Sequence, residues 1–256
     1  MVTYLLKKSY RLKDLKEVNF NDLWGDNGLF TTMWIFGKPA KILFFKKHIK
    51  NLLNSLKVYK LNRFNLDKNI LKLLKLNIKN NKKYNHLLRV AINNQIISIS
   101  LRKRLTPKLK FNLRLVNYKR IKPQFKNLKY KRILKYLSKI DNSSNDIALC
   151  VNKMLLESGT SNLLFVKNKK IYSPINKFYK GINYKFFENT LGKFIKKDIF
   201  IDDLNNYDEI ILVGSGKGVV SVETIKDHKW KRKSLSKYKV LSKLYKAEIL
   251  RCSIYK

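Results

Sequence analysis

The chain is poor in the residues that staple small folds or ligate metals. It has 2 cysteines and 3 histidines in 256 residues. Cys150 and Cys252 stand too far apart for a disulfide framework, and with His48, His86 and His228 they are too few for a zinc cluster. The expected setting is therefore reducing and cytoplasmic, with no metal. No apolar run approaches the ~18 residues of a membrane span. The opening Met1–Leu6 is too short for a secretory core and lacks a small-residue cleavage site. Acid is also scarce, with 17 Asp+Glu against 57 Lys+Arg and a formal net charge of +40. Such a balance ordinarily points to nucleic acid or an acidic membrane surface. Here the cations are mostly lysine and run from Lys7 to Lys256 rather than gathering in a tail. They come with abundant Asn, Ile, Leu, Tyr and Phe, the pattern of a whole-sequence drift under an AT-rich genome. Nucleic acid is accordingly disfavoured as a partner, and a basic RNA-binding protein is kept as the competing class.

The length suits one large domain or two small ones with a real core. Residues 2–26 read as a short apolar opening and a polar loop ending in Trp24-Gly25-Asp26-Asn27-Gly28. Leu29–Phe36 reads as a strand, Ile42–Tyr59 and Asp67–Leu76 as helices, and Asn77–Lys83 as a solvated loop. Leu87–Ile92 and Ile96–Leu101 form a strand pair about Asn93-Asn94, and Leu113–Tyr118 is a further strand. Arg120–Phe125, with Pro123, reads as a link. Beyond it come a helix at Leu128–Ile140, a strand at Ile147–Val151, and a strand pair at Leu163–Val166 and Ile171–Tyr172. A helix from Gly181 to Ile195 and a buried strand at Glu209–Gly214 complete the reading. The balance is α/β or α+β, with domains at 1–119 and 127–256 around a link at 120–126.

Three stretches carry chemistry. In Glu157-Ser158-Gly159-Thr160-Ser161-Asn162-Leu163 a carboxylate precedes a small-polar turn and an Asn entering an apolar strand, a way to hold a heterocycle by its ring nitrogen. Downstream, Ser173-Pro174 leads to Gly181-Ile182-Asn183, where the unpaired N–H groups of Ile182 and Asn183 at a helix start suit a phosphate. Gly214-Ser215-Gly216-Lys217 lacks the spacing of a Walker loop, and no Ser or Thr follows its lysine. Near the N-terminus stand Gly28-Leu29-Phe30-Thr31-Thr32 and His48-Ile49-Lys50-Asn51-Leu52-Leu53-Asn54-Ser55.

In that order these stretches resemble the class IV aminotransferase superfamily, the fold-type IV pyridoxal phosphate enzymes, from about Asn21 to Thr224. Lys57–Leu113 carries little specific signal, and Trp230–Tyr255 has no assignment. The resemblance implies a small N-terminal α/β domain, a larger C-terminal pseudo-barrel domain, a homodimer and pyridoxal 5'-phosphate as cofactor. It implies that Glu157 keeps the pyridine nitrogen protonated, and that Ile182, Asn183, Ser215 and Gly216 hold the phosphate. Lys126, 31 residues before Glu157 and followed by Asn127-Leu128, matches the lysine that joins the cofactor's aldehyde, with Lys122 as runner-up. Tyr130 would then approach the phenolic oxygen. Two positions depart from the pattern. Asn51 stands where the family places a phosphate-binding arginine, whose charge Asn cannot supply, and Tyr184 stands where an arginine follows Gly-Ile-Thr. Lys50 is the neighbouring cation of Asn51, and Lys217 adds one beside Ser215 and Gly216 that would partly offset the missing arginine. Thr31-Thr32 in place of a glutamate, and the short length, resemble the aminodeoxychorismate lyases, which form 4-aminobenzoate and pyruvate for folate synthesis. Branched-chain and D-amino acid aminotransferases, and a relative that has lost the cofactor, are the alternatives.

Overall fold

The computed structural model describes residues 3–61, 65–226 and 228–255. Two compact units emerge: Met1–Arg104 with Phe125–Lys131 and Ile249–Lys256, and Leu105–Gln124 with Arg132–Glu248.

The first unit is a six-stranded antiparallel sheet with two helices. Its strands are β1 (Tyr4–Arg11), β2 (Glu17–Val18), β3 (Leu29–Gly37), β4 (Lys41–Ile42), β5 (Tyr84–Ile92) and β6 (Ile96–Lys103), in the order β2-β1-β6-β5-β3-β4. The helices α1 (Phe45–Val58) and α2 (Leu66–Asn77) precede β5. Period-two positions such as Met33 and Ile35, Leu88 and Val90, and Ile97 and Ile99 form one apolar face. Helical-period residues complete that core, with Ile49, Leu52 and Leu56 from α1 and Ile70, Leu73 and Leu74 from α2. On the other face Phe30 and Ala91 pack with Leu23 and Leu128. Strand β1 replaces the expected opening loop. Its buried Ser9 pairs with the Ser98 hydroxyl at 2.8 Å, so a polar contact hides what would otherwise read as an apolar alternation.

The second unit contains β7 (Asn112–Asn117), α3 (Lys131–Leu137), β8 (Asn145–Val151), β9 (Met154–Ser158), β10 (Asn162–Lys167), β11 (Lys170–Ser173), α4 (Ile182–Leu191), β12 (Ile195–Lys196), β13 (Ile199–Phe200), β14 (Glu209–Gly214), β15 (Gly218–Ser221), β16 (Thr224–Ile225), β17 (His228–Lys231) and α5 (Ser236–Arg251). One sheet runs β13-β9-β8-β7-β16-β17 and the other β12-β11-β10-β14-β15. They share a core to which Leu113 and Ala148 contribute from the first sheet and Phe165 and Leu212 from the second. The β8–β9 and β10–β11 hairpins turn on pairs with positive φ, Asn152-Lys153 at 47° and 61° and Asn168-Lys169 at 50° and 60°. Such mirror-image turns match the twist of the strands they join.

The unit boundaries differ from the expected 1–119, 120–126 and 127–256. Strand β7 pairs with β8 and β16, which draws 105–119 into the second unit. Residues 125–131 belong to the first unit, where Asn127 bridges Leu29 and the Phe30 N–H donates to the Lys126 carbonyl at 2.9 Å. That extended stretch also makes α3 shorter than the expected Leu128–Ile140. Helix α4 stops at Leu191 rather than Ile195 because Gly192 turns to φ 87°. The unassigned C-terminal segment is the helix α5, whose start is held by a buried carboxylate from β14. Glu209 accepts from the Ser236 hydroxyl at 3.0 Å and from the Lys237 and Tyr238 N–H groups at 2.9 Å each.

Candidate functional site

In the second unit the Glu157–Asn162 turn organises the segments around it. Glu157 ends β9 and Asn162 opens β10. The Asn162 amide donates to the Tyr179 carbonyl at 2.5 Å, and its oxygen accepts the Gly181 N–H at 3.0 Å. One side chain thereby sets the entry into α4. Ser161 lies under the Gly214 backbone, where a Cβ would stand 2.6 Å from its hydroxyl, so only glycine lets the 214–218 loop come this close. Asp146, on β8 and fully buried, accepts from the Ser158 and Thr160 hydroxyls at 3.1 and 2.6 Å. The same carboxylate faces the Lys217 ammonium at 3.6 Å, and that ammonium also donates to the Asn142 carbonyl at 3.2 Å. Lys217 is thus engaged with Asp146 beneath the loop that carries Ser215 and Gly216, rather than offered as a replacement for the missing arginine.

Helix α4 begins without a side-chain cap. Ile182 and Asn183 are both buried, and the Asn183 amide nitrogen and oxygen have no hydrogen-bond partner among the described residues. A buried amide without partners costs on the order of 1–3 kcal/mol, so it is an exception that calls for a reason. The expected arginine position is filled differently. Tyr184, fully buried, shares a hydrogen bond with the Ser173 hydroxyl at 2.8 Å and receives one from Lys196, which is paired with Glu188. Burial pushes the Tyr184 phenol up. At this position the chain has a tyrosine bound to Ser173 and to the Lys196 ammonium instead of an arginine.

Glu157 is not an isolated carboxylate. Arg120 grips it with two parallel bonds, Nε to Oε1 at 2.7 Å and Nη2 to Oε2 at 2.9 Å. Sequence reading passed over Arg120, which stands in a lysine-rich stretch. The available signal was an arginine where lysine predominates, since only a guanidinium forks onto a carboxylate.

In the first unit the two N-terminal motif segments meet. The Thr31 hydroxyl and His48 Nδ1 share a hydrogen bond at 2.8 Å, and His48 is buried. Burial, with a contribution from the Lys126 charge, pushes His48 down to about 3. Lys126 is half-buried with its ammonium 5.2 Å from the Phe30 ring centre, whereas Lys122 is exposed. Asn51 is half-buried on α1, and its carbonyl accepts the Ser55 hydroxyl at 2.8 Å. Tyr130 stacks on Trp24 at 5.7 Å and meets Phe30 edge-on at 5.7 Å. Arg89, another residue not singled out from sequence, lies 3.6 Å over the Trp24 ring. Its Nε is buried without a partner among the described residues, and burial pushes its guanidinium down to about 10.

Among the described residues no three His, Cys, Asp or Glu side chains gather as a metal site, and no helix is long and apolar enough to cross a membrane. Solved structures share this fold. A hypothetical aminotransferase from Mycobacterium tuberculosis in its PLP-bound form aligns with TM-score 0.72 at 13% identity, covering 96% of this chain and 99% of that one. A branched-chain aminotransferase from Thermoproteus uzoniensis with norvaline gives 0.73 at 14%, covering 93% of each chain. A Legionella pneumophila protein assigned as a 4-amino-4-deoxychorismate lyase gives 0.69 at 16%, covering 87% of this chain and 91% of that one. No curated protein matches the chain by sequence. The fold is that of the fold-type IV aminotransferases. The sequence model of the amino-transferase class IV family matches residues 28–225, and the chain belongs to that family.

Proposed function

We propose that this chain is a pyridoxal 5'-phosphate enzyme whose reaction is the cleavage of aminodeoxychorismate to 4-aminobenzoate and pyruvate. The observation that carries the cofactor reading is the uncapped start of α4 with the buried, unpartnered Asn183 amide. The N–H groups of Ile182 and Asn183, aided by the helix dipole, would take the phosphate, with Ser215 and Gly216 completing its shell. Glu157 would meet the ring nitrogen. When bound, the cofactor supplies an aldehyde that takes up a substrate amine and a ring that withdraws electrons from the reacting carbon. Lys126 would hold that aldehyde between turnovers and carry the substrate's proton. Its half-buried place beside Phe30 and near His48 favours it over the exposed Lys122. Tyr130 would lie toward the phenolic oxygen. The family's phosphate-binding arginine has no counterpart at Asn51, so the cofactor is expected to dissociate more readily than one held by a guanidinium.

The lyase reading rests on Thr31, whose hydroxyl is bound to the buried His48 where the aminotransferases carry a glutamate. Transfer of an amino group from a branched-chain or D-amino acid is the second reading, favoured by the likeness to the Thermoproteus aminotransferase. In either case the substrate is a small molecule carrying an amine and a carboxylate. A cytoplasmic homodimer belongs to the same reading.

The test is to add pyridoxal phosphate, record the visible spectrum, reduce with borohydride and map the label. A cofactor band with label on Lys126 supports the proposal, and label on Lys122 moves the lysine. Absence of a band at saturating cofactor leaves a relative without catalysis. Release of pyruvate from aminodeoxychorismate, set against amino transfer to a keto acid, then decides the reaction.

A further inference from the structure

The Arg120–Glu157 pair is buried, with side chains 3% and 7% exposed, and its guanidinium forks onto the carboxylate. Its geometry limits what Glu157 can do. A carboxylate offers two acceptor directions on each oxygen. The guanidinium takes one on Oε1 at 2.7 Å and one on Oε2 at 2.9 Å, and the Tyr179 N–H takes the second on Oε2 at 3.4 Å. One direction remains, on Oε1. The same Arg120 Nη2 also donates to the Pro123 carbonyl at 2.8 Å, closing the turn in which Lys122 adopts φ 45°.

We propose that Arg120 is a positioning residue of the cofactor site, holding Glu157 so that Oε1 alone is presented to a single N–H of a bound heterocycle. The inference rests on the reading of Glu157 as the ring-nitrogen partner. The guanidinium lies directly against the carboxylate, so Glu157 meets the ring as half of an ion pair rather than as a lone buried group. A neutralised carboxylate is a weaker acceptor, and it holds the ring-nitrogen proton less tightly than a lone one does. Arg120 therefore sets both the direction in which the ring is fixed and how fully its nitrogen is protonated. It acts through Glu157 and the 120–123 turn, which makes its role one of positioning.

The experiment compares the wild-type chain, Arg120→Lys, and the doubly neutral Arg120→Met with Glu157→Gln. The readouts are the dissociation constant for pyridoxal phosphate, the 15N resonance of ring-labelled cofactor, and the melting temperature. Lysine keeps the charge but cannot fork. In Arg120→Lys we expect cooperative melting, roughly tenfold weaker cofactor binding, and a ring-nitrogen resonance displaced toward the unprotonated position, because the charge remains while the carboxylate loses its aim at the ring N–H. In the double variant the resonance moves to the unprotonated position, because no carboxylate remains. A folded Arg120→Lys with wild-type affinity and an unmoved resonance overturns the inference. If Arg120→Lys does not fold, Arg120→Gln decides, and a folded Arg120→Gln with wild-type affinity and an unmoved resonance overturns the inference as well. A wild-type chain that binds no cofactor overturns the functional reading itself, whereas a loaded wild type indifferent to Arg120 overturns this inference alone.

Discussion

At the scale of single residues, His48 shows how burial turns a surface-looking helical histidine into a pH-sensitive part of the core. The folded protein keeps it neutral down to about 3, against an ordinary value of 6.5, mainly through burial and secondarily through the Lys126 charge. Between those values the unfolded chain binds a proton that the folded one refuses, so stability falls as pH drops below 6.5. The slope inside the window is about 1.4 kcal/mol per pH unit. Replacing His48 with Gln keeps a polar partner for Thr31 but removes the titration. Melting temperatures measured between pH 7 and 4.5 should fall less steeply for His48→Gln than for the wild type. Parallel slopes would show that His48 does not carry this acid sensitivity.

Among the elements, α5 depends on a contact that no local pattern announces. Its first turn has no acidic residue of its own, and Glu209, from β14, supplies the carboxylate that receives Ser236, Lys237 and Tyr238. A carboxylate at a helix start satisfies unpaired N–H groups and complements the dipole. Glu209→Ala leaves these partly exposed donors without their capping acceptor and should cost about 0.5–2 kcal/mol, the range of a lost helix cap. Hydrogen exchange at the Lys237 and Tyr238 amides should accelerate in that variant while the β10 amides keep their protection. Unchanged exchange would show that α5 holds itself through packing alone.

For the whole molecule, the charge of +40 makes weak attraction to any polyanion unavoidable on physical grounds, whatever the biological role. Such binding should fall by roughly 0.7–0.9 log units per phosphate contact for each log unit of salt. Retention on heparin or RNA should therefore vanish by about 0.5 M salt, where charges on the surface are screened within a few ångströms. Cofactor affinity should change far less over the same range, because its phosphate would meet buried N–H groups. RNA binding that persists in high salt and excludes pyridoxal phosphate would favour the competing RNA-binding class. The scarce acids also acquire meaning at this scale. Asp146, Glu157 and Glu209 are all buried, and each organises a loop, a site or a helix.

What the sequence determined by itself was whatever depends on local periodicity and turn chemistry. The apolar alternation of β3, β5 and β6, the helical stripe of α1 and the β10–β11 strand pair read correctly, because their cause lies within a few neighbouring residues. The ordered segments around Glu157, Asn162, Gly181 and Ser215 were enough to point to the family, since their spacing is that of one connected turn and helix start. Tertiary structure alone decided the rest. Strand β1 was hidden by Ser9, whose partner Ser98 is distant in sequence, and the start of α5 by Glu209. Most consequential for the site, Arg120 reads as one cation among many until folding places its guanidinium against Glu157 in a region closed to water. A fork of two hydrogen bonds is a property of two chains of atoms brought together in space, so no spacing along one chain could announce it.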